Sequence, residues 1–334
     1  ISLVAIVSCA FFAAISGSSA ATTAAIGGIM YPEMVKRGYP SDYSTAVQAV
    51  GGTLGIIIPP SIVFVIYGST NGVSISKLLM SGMLPGILTA VVLCLYGYVV
   101  AKKENFPKSF DQFSLKRVLK SLKGAVWALM MPLIILGGIY GGIFTPTESA
   151  MIACAYGLVV SFFVTKELTV KNFFDVVSKT AASTANVTVM FLAAQVFGFL
   201  IAYYDITTTI ANFFVAVSPN WIIFMGLVFI LLTITGMFME VGATNVILSP
   251  LLAPVAAAFG IDPIHFGMVF VFLLALGQAT PPFGSTMFIA CGISGERVAA
   301  VIRRLLPFVL VEYACALVFA YVPWFSTFLP SLMA

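Results

Sequence analysis

Two stretches decide the fold of this chain: GGTLGIIIPPSIVFVIYG at 51–68 and GQATPPFGSTMFIACG at 277–292. In each, one or more glycines come before a Pro-Pro pair. Proline removes a helical hydrogen bond and clashes with the preceding turn, whereas glycine lets the backbone open. We therefore predict that each stretch is a helix broken in its middle, with carbonyl groups freed at the break.

The composition places these broken helices in lipid. Of the 334 residues, 60% are hydrophobic and 8% are charged, whereas soluble domains carry about 25% charged residues. A membrane span needs about 20 apolar residues. Single spans fit the runs 84–101, 124–147, 149–165 and 180–204, and longer runs with internal Gly, Pro, Ser, Thr or Asn occupy 1–32, 43–76, 206–239 and 263–295. The sequence predicts an all-α polytopic membrane protein in which the longer runs bend or break.

The two breaks belong to an internal repeat. Pro32 corresponds to Pro254, an offset of 254 − 32 = 222, and Pro85 corresponds to Pro307 at the same offset. The remaining matches at this offset are Gly38 with Gly260, Gly55 with Gly277, Pro59-Pro60 with Pro281-Pro282, and Thr22-Thr23 with Thr244-Asn245. Repeats that contain interrupted helices are typical of secondary transporters. The offset also predicts roughly 90 residues ahead of Ile1, since the second copy has three helices before its hairpin.

Each copy also carries a predicted re-entrant hairpin. The first covers about 1–34 with its tip at SGSSAATT (16–23), and the second covers about 221–258 with its tip at EVGATN (240–245). Irregular backbone at membrane depth survives only against protein or a wet cavity. Hydroxyls and freed carbonyls suit a hard cation such as sodium, and helix N-termini suit a carboxylate. Small residues also allow close helix packing, but their paired occurrence at one offset favours a site.

Basic residues predict the topology, because cytoplasmic loops collect Lys and Arg. All but Lys77 of the 16 basic residues fall in four loops, at 36–37, 102–123, 166–179 and 297–304. Placing these loops in the cytoplasm gives a consistent alternation, a periplasmic C-terminus and two inverted copies. The segment 108–123 (KSFDQFSLKRVLKSLK) is expected to be an amphipathic interfacial helix; a solvated loop is the alternative.

Single polar residues within the apolar runs have two interpretations each. Glu240 either holds a cation or caps the second arm of its hairpin, since intramembrane acids are functional candidates and acids also favour helix N-termini. Glu148 is predicted to cap a helix, and Glu312 faces either the helix bundle or a partner. His265 is the only histidine, so it cannot form a metal site alone, and the five cysteines have no metal-site spacing.

The motifs resemble the large membrane subunit of tripartite ATP-independent periplasmic (TRAP) transporters. The stretches that carry the resemblance are AISGSSAATTAAIG (14–27), GGTLGIIIPPSIVFVIYG (51–68), LGGIYGGIFTPTESA (136–150), GIDPIHFG (260–267) and ATPPFG (279–284). The resemblance covers essentially the whole chain. It implies sodium-driven, elevator-type uptake of a carboxylate, such as a C4-dicarboxylate or a sialic acid, across the bacterial inner membrane.

The resemblance also implies partners and domains. The partners are a small four-helix membrane subunit, a periplasmic substrate-binding protein and phospholipids, with no nucleic acid. The expected divisions are a first transport-domain half (1–81), a scaffold helix with a cytoplasmic arm helix (82–123), scaffold helices (124–204), a second transport-domain half (205–296) and a final scaffold helix (297–334).

Site residues follow from the same resemblance. One sodium site is expected at Ser16, Ser18, Gly55, Ile58 and Pro60, and another at Gly242, Thr244, Gly277, Thr280 and Pro282. Substrate is expected near Ser19, Thr22, Thr23, Thr244 and Asn245. One departure is Thr22, which stands where many family members have an aspartate, so no cation site can rely on a carboxylate there.

Three other functions remain open at this point. A symporter or antiporter of the same superfamily could work without a binding protein. An ion channel would need a continuous pore, and the sequence shows no repeated ring of charged residues. A membrane enzyme would need clustered His, Asp or Cys within the spans, and there is only a single histidine.

Overall fold

The protein is all-α in the residues that the structure, a computed structural model, describes: 1–107 and 115–333. The helices are α1 Ser2–Ser16, α2 Ser19–Lys36, α3 Ser41–Ile57, α4 Ile62–Asn71, α5 Ile75–Lys103, α6 Leu115–Tyr140, α7 Pro146–Val159, α8 Val170–Tyr203, α9 Ile206–Val217, α10 Trp221–Phe238, α11 Val241–Ala258, α12 Pro263–Gly277, α13 Ser285–Ser294, α14 Val298–Tyr321 and α15 Trp324–Ser331. A π-helical segment, Val160–Val164, continues α7.

Several of these helices are long and apolar enough to cross a bilayer. In the part of the chain that is described, six segments pass by length and composition, and a seventh is added if the bent pair α14–α15 is one span. The six are Ser41–Asn71, Ile75–Lys103, Lys120–Tyr140, Pro146–Val164, Trp221–Phe238 and Val241–Ala258. The protein is therefore an all-α polytopic membrane protein, as the composition predicted.

Both predicted hairpins are pairs of helices joined by a very short turn. Between α1 and α2, Gly17 adopts a left-handed conformation (φ 63°), which favours glycine, and Ser18 is the N-cap of α2. Between α10 and α11, Met239 is extended and Glu240 is the N-cap of α11. The irregular backbone at each tip is thus limited to two residues.

Both predicted helix breaks are also present. The first separates α3 from α4 at 58–61, and the second separates α12 from α13 at 278–284. The Pro59–Pro60 and Pro281–Pro282 peptide bonds are cis. The helices before the breaks lie in the core, because all residues of α3 from Tyr43 to Ile57 are buried and so are all those of α12 from His265 to Gly277.

The helix boundaries follow the offset of the sequence repeat. The helix α2 starts at Ser19 and α11 at Val241 (241 − 19 = 222), and each has 18 residues. The helices α3 and α12 start at Ser41 and Pro263, again 222 residues apart (263 − 41 = 222). Each turn after the second hairpin arm has a left-handed glycine, Gly38 and Gly260.

Some helix boundaries differ from the sequence expectation. The run 206–239 breaks, as expected for a run too long for one helix, into α9 and α10, because the Asn220 side chain accepts the Ile223 N–H and starts a new helix. The helix α8 starts at Val170 rather than near 180. Of the expected interfacial helix, 108–114 lie outside the described residues, and 115–123 form the first turns of α6 rather than a separate helix.

The chain divides into two compact units, one formed by 1–109 and 196–334 and the other by 110–195. In the first unit, α5 packs against α1 and α14 packs against α3. The sequence assigned these two helices to the scaffold, and that division stays a prediction. In the second unit, α6 packs against α7, and Thr145 and Glu148 form a capping box at the start of α7, which confirms the predicted role of Glu148.

The first unit joins the two sequence copies through their broken helices. The second half of each broken helix packs against the second hairpin arm of the other copy, α4 against α11 and α13 against α2. The Tyr31 hydroxyl donates to the Ser294 carbonyl (3.2 Å), and the Asn71 amide donates to the Ser249 hydroxyl (2.8 Å). Each hairpin is therefore held by a helix from the other half of the sequence.

Gly82 on α5 should be required for packing around the first break. A methyl group at Gly82 would lie 2.6 Å from the Ile57 carbonyl oxygen and 2.6 Å from the Phe64 ring. We expect Gly82→Ala to cost about 1–3 kcal/mol of stability through overpacking, seen as a lower melting temperature in detergent. Gly292→Ala is the matched control because its methyl group would meet nothing within 4 Å. An equal effect of both substitutions would contradict this packing.

Candidate cation and substrate site

The tip of the first hairpin lies directly against the first helix break. The Ile62 N–H donates to the Gly17 carbonyl oxygen (3.3 Å), and a methyl group at Gly17 would lie 2.6 Å from the Pro60 carbonyl oxygen. The absence of a side chain at Gly17 therefore allows the two irregular segments to meet.

Gly55 lies at the centre of a second contact between this tip and the broken helix. A methyl group there would lie 2.5 Å from the Ser18 carbonyl oxygen and 2.7 Å from Thr22 Oγ1. Thr22 Oγ1 is in turn 2.9 Å from Ser16 Oγ. We call the oxygen atoms of Ser16, Ser18 and Thr22 beside Gly55 the tip-1 cluster.

The tip-1 cluster matches most of the first predicted sodium site. Ser16, Ser18 and Gly55 come together, and Pro60 lies beside Gly17 at the same tip. The fifth predicted residue, Ile58, is the C-cap of α3, and its N–H donates to the Leu54 carbonyl. Thr22 was expected at the substrate, but its hydroxyl also belongs to this cluster. These positions stay predictions as far as sodium is concerned.

The second predicted sodium site is less compact in the structure. Gly277 lies against Gly236, since a methyl group at Gly277 would lie 2.6 Å from the Gly236 backbone. Thr280 Oγ1 donates to the Leu276 carbonyl (2.7 Å) and lies 3.1 Å from the Tyr313 hydroxyl. Gly242 and Thr244 are in the first turn of α11, while Pro282 lies in the break. The side-chain hydrogen bonds of the described residues do not join Thr244 to Thr280.

The predicted substrate residues are all buried: Ser19, Thr22, Thr23, Thr244 and Asn245. Two of the hydroxyls bond to the backbone of their own helix, Thr23 to the Ser19 carbonyl and Thr244 to the Glu240 carbonyl (2.9 Å each). Asn245 differs because its amide donates to the Val63 carbonyl on α4 (2.9 Å). This bond ties the tip of the second hairpin to the broken helix of the first copy.

At the hairpin tips and in the first break, three buried oxygen atoms have no hydrogen-bond partner among the described residues: Ser19 Oγ, Ser61 Oγ and Asn245 Oδ1. Buried polar groups in proteins are nearly always hydrogen-bonded. They lie on the first hairpin, in the first break and on the second hairpin, respectively. Their chemistry fits a polar or ionic ligand that contacts both hairpins.

Glu240 acts as a helix cap in the structure. Its carboxylate accepts the Ala243 N–H (2.9 Å) at the start of α11, and its side chain is exposed. The equivalent N-cap of α2 is Ser18, whose hydroxyl accepts the Ala21 N–H (3.4 Å). The capping interpretation therefore has direct support, and a cation-coupling role for Glu240 stays a prediction.

A family model described as the tripartite ATP-independent periplasmic transporter, DctM component, matches residues 1–325. The chain belongs to this family. It is 42% identical to the isethionate TRAP transporter permease protein DctMQ of Oleidesulfovibrio alaskensis over 94% of its own length and 50% of that protein. It is also 36% identical to the C4-dicarboxylate TRAP transporter large permease protein DctM of Vibrio cholerae, over 100% of its length and 78% of that protein.

Another relative within the family is the sialic acid TRAP transporter permease protein SiaT of Haemophilus influenzae, 33% identical over 96% of the chain and 52% of that protein. The chain thus spans about half the length of the isethionate and sialic acid relatives and about three quarters of the C4-dicarboxylate relative. These TRAP proteins are permeases rather than enzymes, which agrees with the expectation from the sequence.

His265 and the cysteines are the side chains of this protein whose chemistry would suit a transition metal. His265 is buried, with its ring nitrogens bonded to Ser326 Oγ (2.8 Å) and the Ala320 carbonyl (3.1 Å). The five cysteines are free. Within 1–107 and 115–333, no three His, Cys, Asp or Glu side chains are grouped as metal ligands.

Sequence reasoning missed a polar contact that lies close to Gly55 in the chain. Thr53, two residues before Gly55, lies 2.5 Å from a carboxyl oxygen of the fully buried Glu312 on α14. From its sequence position alone, Glu312 could face either the helix bundle or a partner. Its only sequence signal was an acid inside an apolar run, which marks a residue of interest but names no contact.

Asn245 should contribute to stability through its bond to the Val63 carbonyl. Asn245→Ala leaves that buried carbonyl without its partner, so we expect a loss of about 1–3 kcal/mol, measured by thermal melting of the permease in detergent. The control is Asn71→Ala, because Asn71 also joins α4 to α11 but is only partly buried. If Asn71→Ala had the larger effect, the Asn245 bond would not be the stronger link between the copies.

Proposed function

We propose that this protein is the large membrane subunit of a sodium-coupled transporter that takes up an organic acid across the bacterial inner membrane. A periplasmic binding protein delivers the substrate, and a small four-helix membrane subunit completes the complex. The observation that carries the proposal is the tip-1 cluster, where a hairpin tip and a broken helix bring several oxygen atoms together around Gly55.

The oxygen atoms of the tip-1 cluster fit a sodium ion. Sodium is a hard cation, and hydroxyl and carbonyl oxygens suit hard cations. Ser16 and Thr22 supply hydroxyls, and Ser18 and Pro60 supply backbone carbonyls. The Ser18 carbonyl lies close to Gly55 of the broken helix, and the Pro60 carbonyl lies close to Gly17 of the hairpin tip. In the second copy, Thr280 and the carbonyls of its break would supply the corresponding ligands. The lack of an acidic side chain in the tip-1 cluster leaves the ion's charge free to attract an anionic substrate.

The buried polar atoms of both hairpins fit an anionic substrate with further polar groups. The hydroxyls of Ser19 and Ser61 can donate to an acid group, and Asn245 Oδ1 can accept from a substrate hydroxyl. The N-termini of α2 and α11 add partial positive charge. Relatives are named for isethionate, C4-dicarboxylate and sialic acid, all of which are organic anions. We therefore assign an organic acid as the substrate class.

We propose an elevator-type mechanism for alternating access. The hairpins and broken helices of the first compact unit carry the sodium and substrate sites, so these sites can move together with one body. Basic loops at 36–37, 102–123, 166–179 and 297–304 are proposed to face the cytoplasm, which places the C-terminus in the periplasm. Inverted copies then present one hairpin to each side of the membrane.

Sodium should stabilise the purified membrane complex if the tip-1 cluster binds it. A ligand that binds only the native state stabilises it by RT ln(1 + [L]/Kd), about 2.7 kcal/mol at a hundredfold excess over Kd. We expect a saturable rise in melting temperature in sodium relative to choline at equal ionic strength. Gly55→Ala should reduce this rise because its methyl group would displace Ser18 and Thr22. Gly28→Ala, which has open space around it, is the control. A full sodium shift in Gly55→Ala would exclude this position.

Uptake by the reconstituted complex tests coupling and the second site together. With both membrane subunits in liposomes and binding protein outside, an inward sodium gradient should drive accumulation of the organic acid. Thr280→Ala should weaken the sodium dependence, and Thr280→Ser should retain it because the hydroxyl remains. Normal sodium dependence in Thr280→Ala would reject the second site. Uptake that needs no binding protein would instead identify a stand-alone symporter.

A further inference from the structure

Glu312 is a buried acid that the proposed sodium and substrate sites do not use. It lies on α14 with none of its surface exposed. One carboxyl oxygen, Oε1, is 2.5 Å from Thr53 Oγ1, whereas Oε2 has no hydrogen-bond partner among the described residues. A polar group buried in this way normally has a partner for each oxygen.

The hydrogen bonds of the Thr53 hydroxyl indicate that the Glu312 carboxyl group carries a proton. Thr53 Oγ1 lies 2.6 Å from the Val50 carbonyl oxygen as well as 2.5 Å from Glu312 Oε1. A hydroxyl has one hydrogen, and the carbonyl can only accept. If Glu312 is ionised, two acceptors compete for this hydrogen. If the carboxyl is protonated, it donates to Thr53, and Thr53 donates to Val50, so that every contact has its own hydrogen.

Within the described residues, Glu312 has no ion pair with a basic side chain. Its neighbours on α14 at helical spacing, Phe308, Val309 and Ala316, are buried and apolar. The ion pairs of Arg304 with Asp42 and Glu104 lie eight residues away, about 12 Å along a helix. An unpaired charge in such a place is strongly disfavoured, and intramembrane acids are functional candidates for that reason.

The titratable groups on α14 and on the helices packed against it are the groups whose charges could affect Glu312. On α14 itself, Tyr313 bonds to Thr280, Arg304 pairs with Asp42 and Glu104, and the remaining groups are Arg303, Cys315 and Tyr321. The helix α3 brings Asp42 and Tyr43 at its far end, and α12 brings His265, which bonds to Ser326 and Ala320. The other such groups are Lys77, Cys94, Tyr96, Tyr98, Lys102 and Lys103 on α5 and Cys291 on α13, while α10 has none.

We infer that Glu312 is a proton-binding site, in which a proton from water adds to the carboxylate and is retained while α14 packs against α3. A proton fits better than a metal ion because, among the described residues, the only hydrogen-bond contact of the carboxyl group is one hydroxyl, Thr53 Oγ1. The site is separate from the proposed sodium sites and does not depend on them.

Proton binding at Glu312 would be linked to the position of the broken helix. Thr53 belongs to α3, two residues before Gly55 of the tip-1 cluster. If α3 and α14 separate and water reaches the carboxyl group, it can ionise. The proton therefore favours the packed arrangement, and by reciprocity the packed arrangement favours proton binding.

Infrared spectroscopy of the purified complex tests this directly, because a protonated carboxyl group absorbs separately from a carboxylate. We expect a carboxylic acid band at neutral pH that Glu312→Gln removes. Thr53→Val should shift this band by removing one hydrogen-bond partner, without abolishing it. Glu104→Gln is the control because it removes an exposed carboxylate that pairs with Arg304, and it should leave the band unchanged. A spectrum of Glu312→Gln identical to that of the wild type would overturn the inference.

A pH series of melting temperatures provides the second readout. A native state that holds one more proton than the unfolded chain loses stability as pH rises. The melting temperature of the wild type should therefore fall as pH rises. In Glu312→Gln this fall should be smaller by the contribution of one proton, because the amide keeps the same shape without ionising. Equal pH dependence in both proteins would show that Glu312 is only a structural hydrogen-bond acceptor and would reject the proton site.

Discussion

The need to satisfy every backbone polar group inside a bilayer governs this structure. The hairpin tips and helix breaks free backbone groups, and other irregular segments meet those groups. Gly17 at the first tip accepts a hydrogen bond from Ile62 after the first break. In the second break, the Gln278 carbonyl accepts both the N–H and the hydroxyl of Thr286. At these two interruptions the freed backbone groups therefore have hydrogen-bond partners within the protein.

Because of this constraint, the hairpins also pack closely against the broken helices, and glycine makes this packing possible. Gly55 allows the Ser18 carbonyl and Thr22 hydroxyl to reach the broken helix, and Gly277 allows the Gly236 backbone to do the same in the other copy. At Gly55, the close contact between the hairpin tip and the broken helix also brings several oxygen atoms together. A cation site can therefore arise from the packing of the tips, without any acidic side chain in the tip-1 cluster.

The sequence predicted the features that depend on local chemistry. The offset of 222 located both hairpins and both breaks, because glycine, proline and small polar residues act within a few positions of themselves. It could not predict the bond from Asn245 to Val63, which joins residues far apart in the chain. Glu312 shows the same limit, since its partner Thr53 lies 259 residues away.

The two copies share their helices but not their chemistry. At the offset of 222, Glu312 corresponds to Ala90 and Thr53 to Ala275, so the buried acid and its partner have no equivalent in the other copy. Thr23 likewise corresponds to Asn245. A repeat alone would give two similar halves with similar ion preferences. Because the acid occurs on one side only, proton binding would act on one broken helix, and the halves could respond differently to the same change in their surroundings.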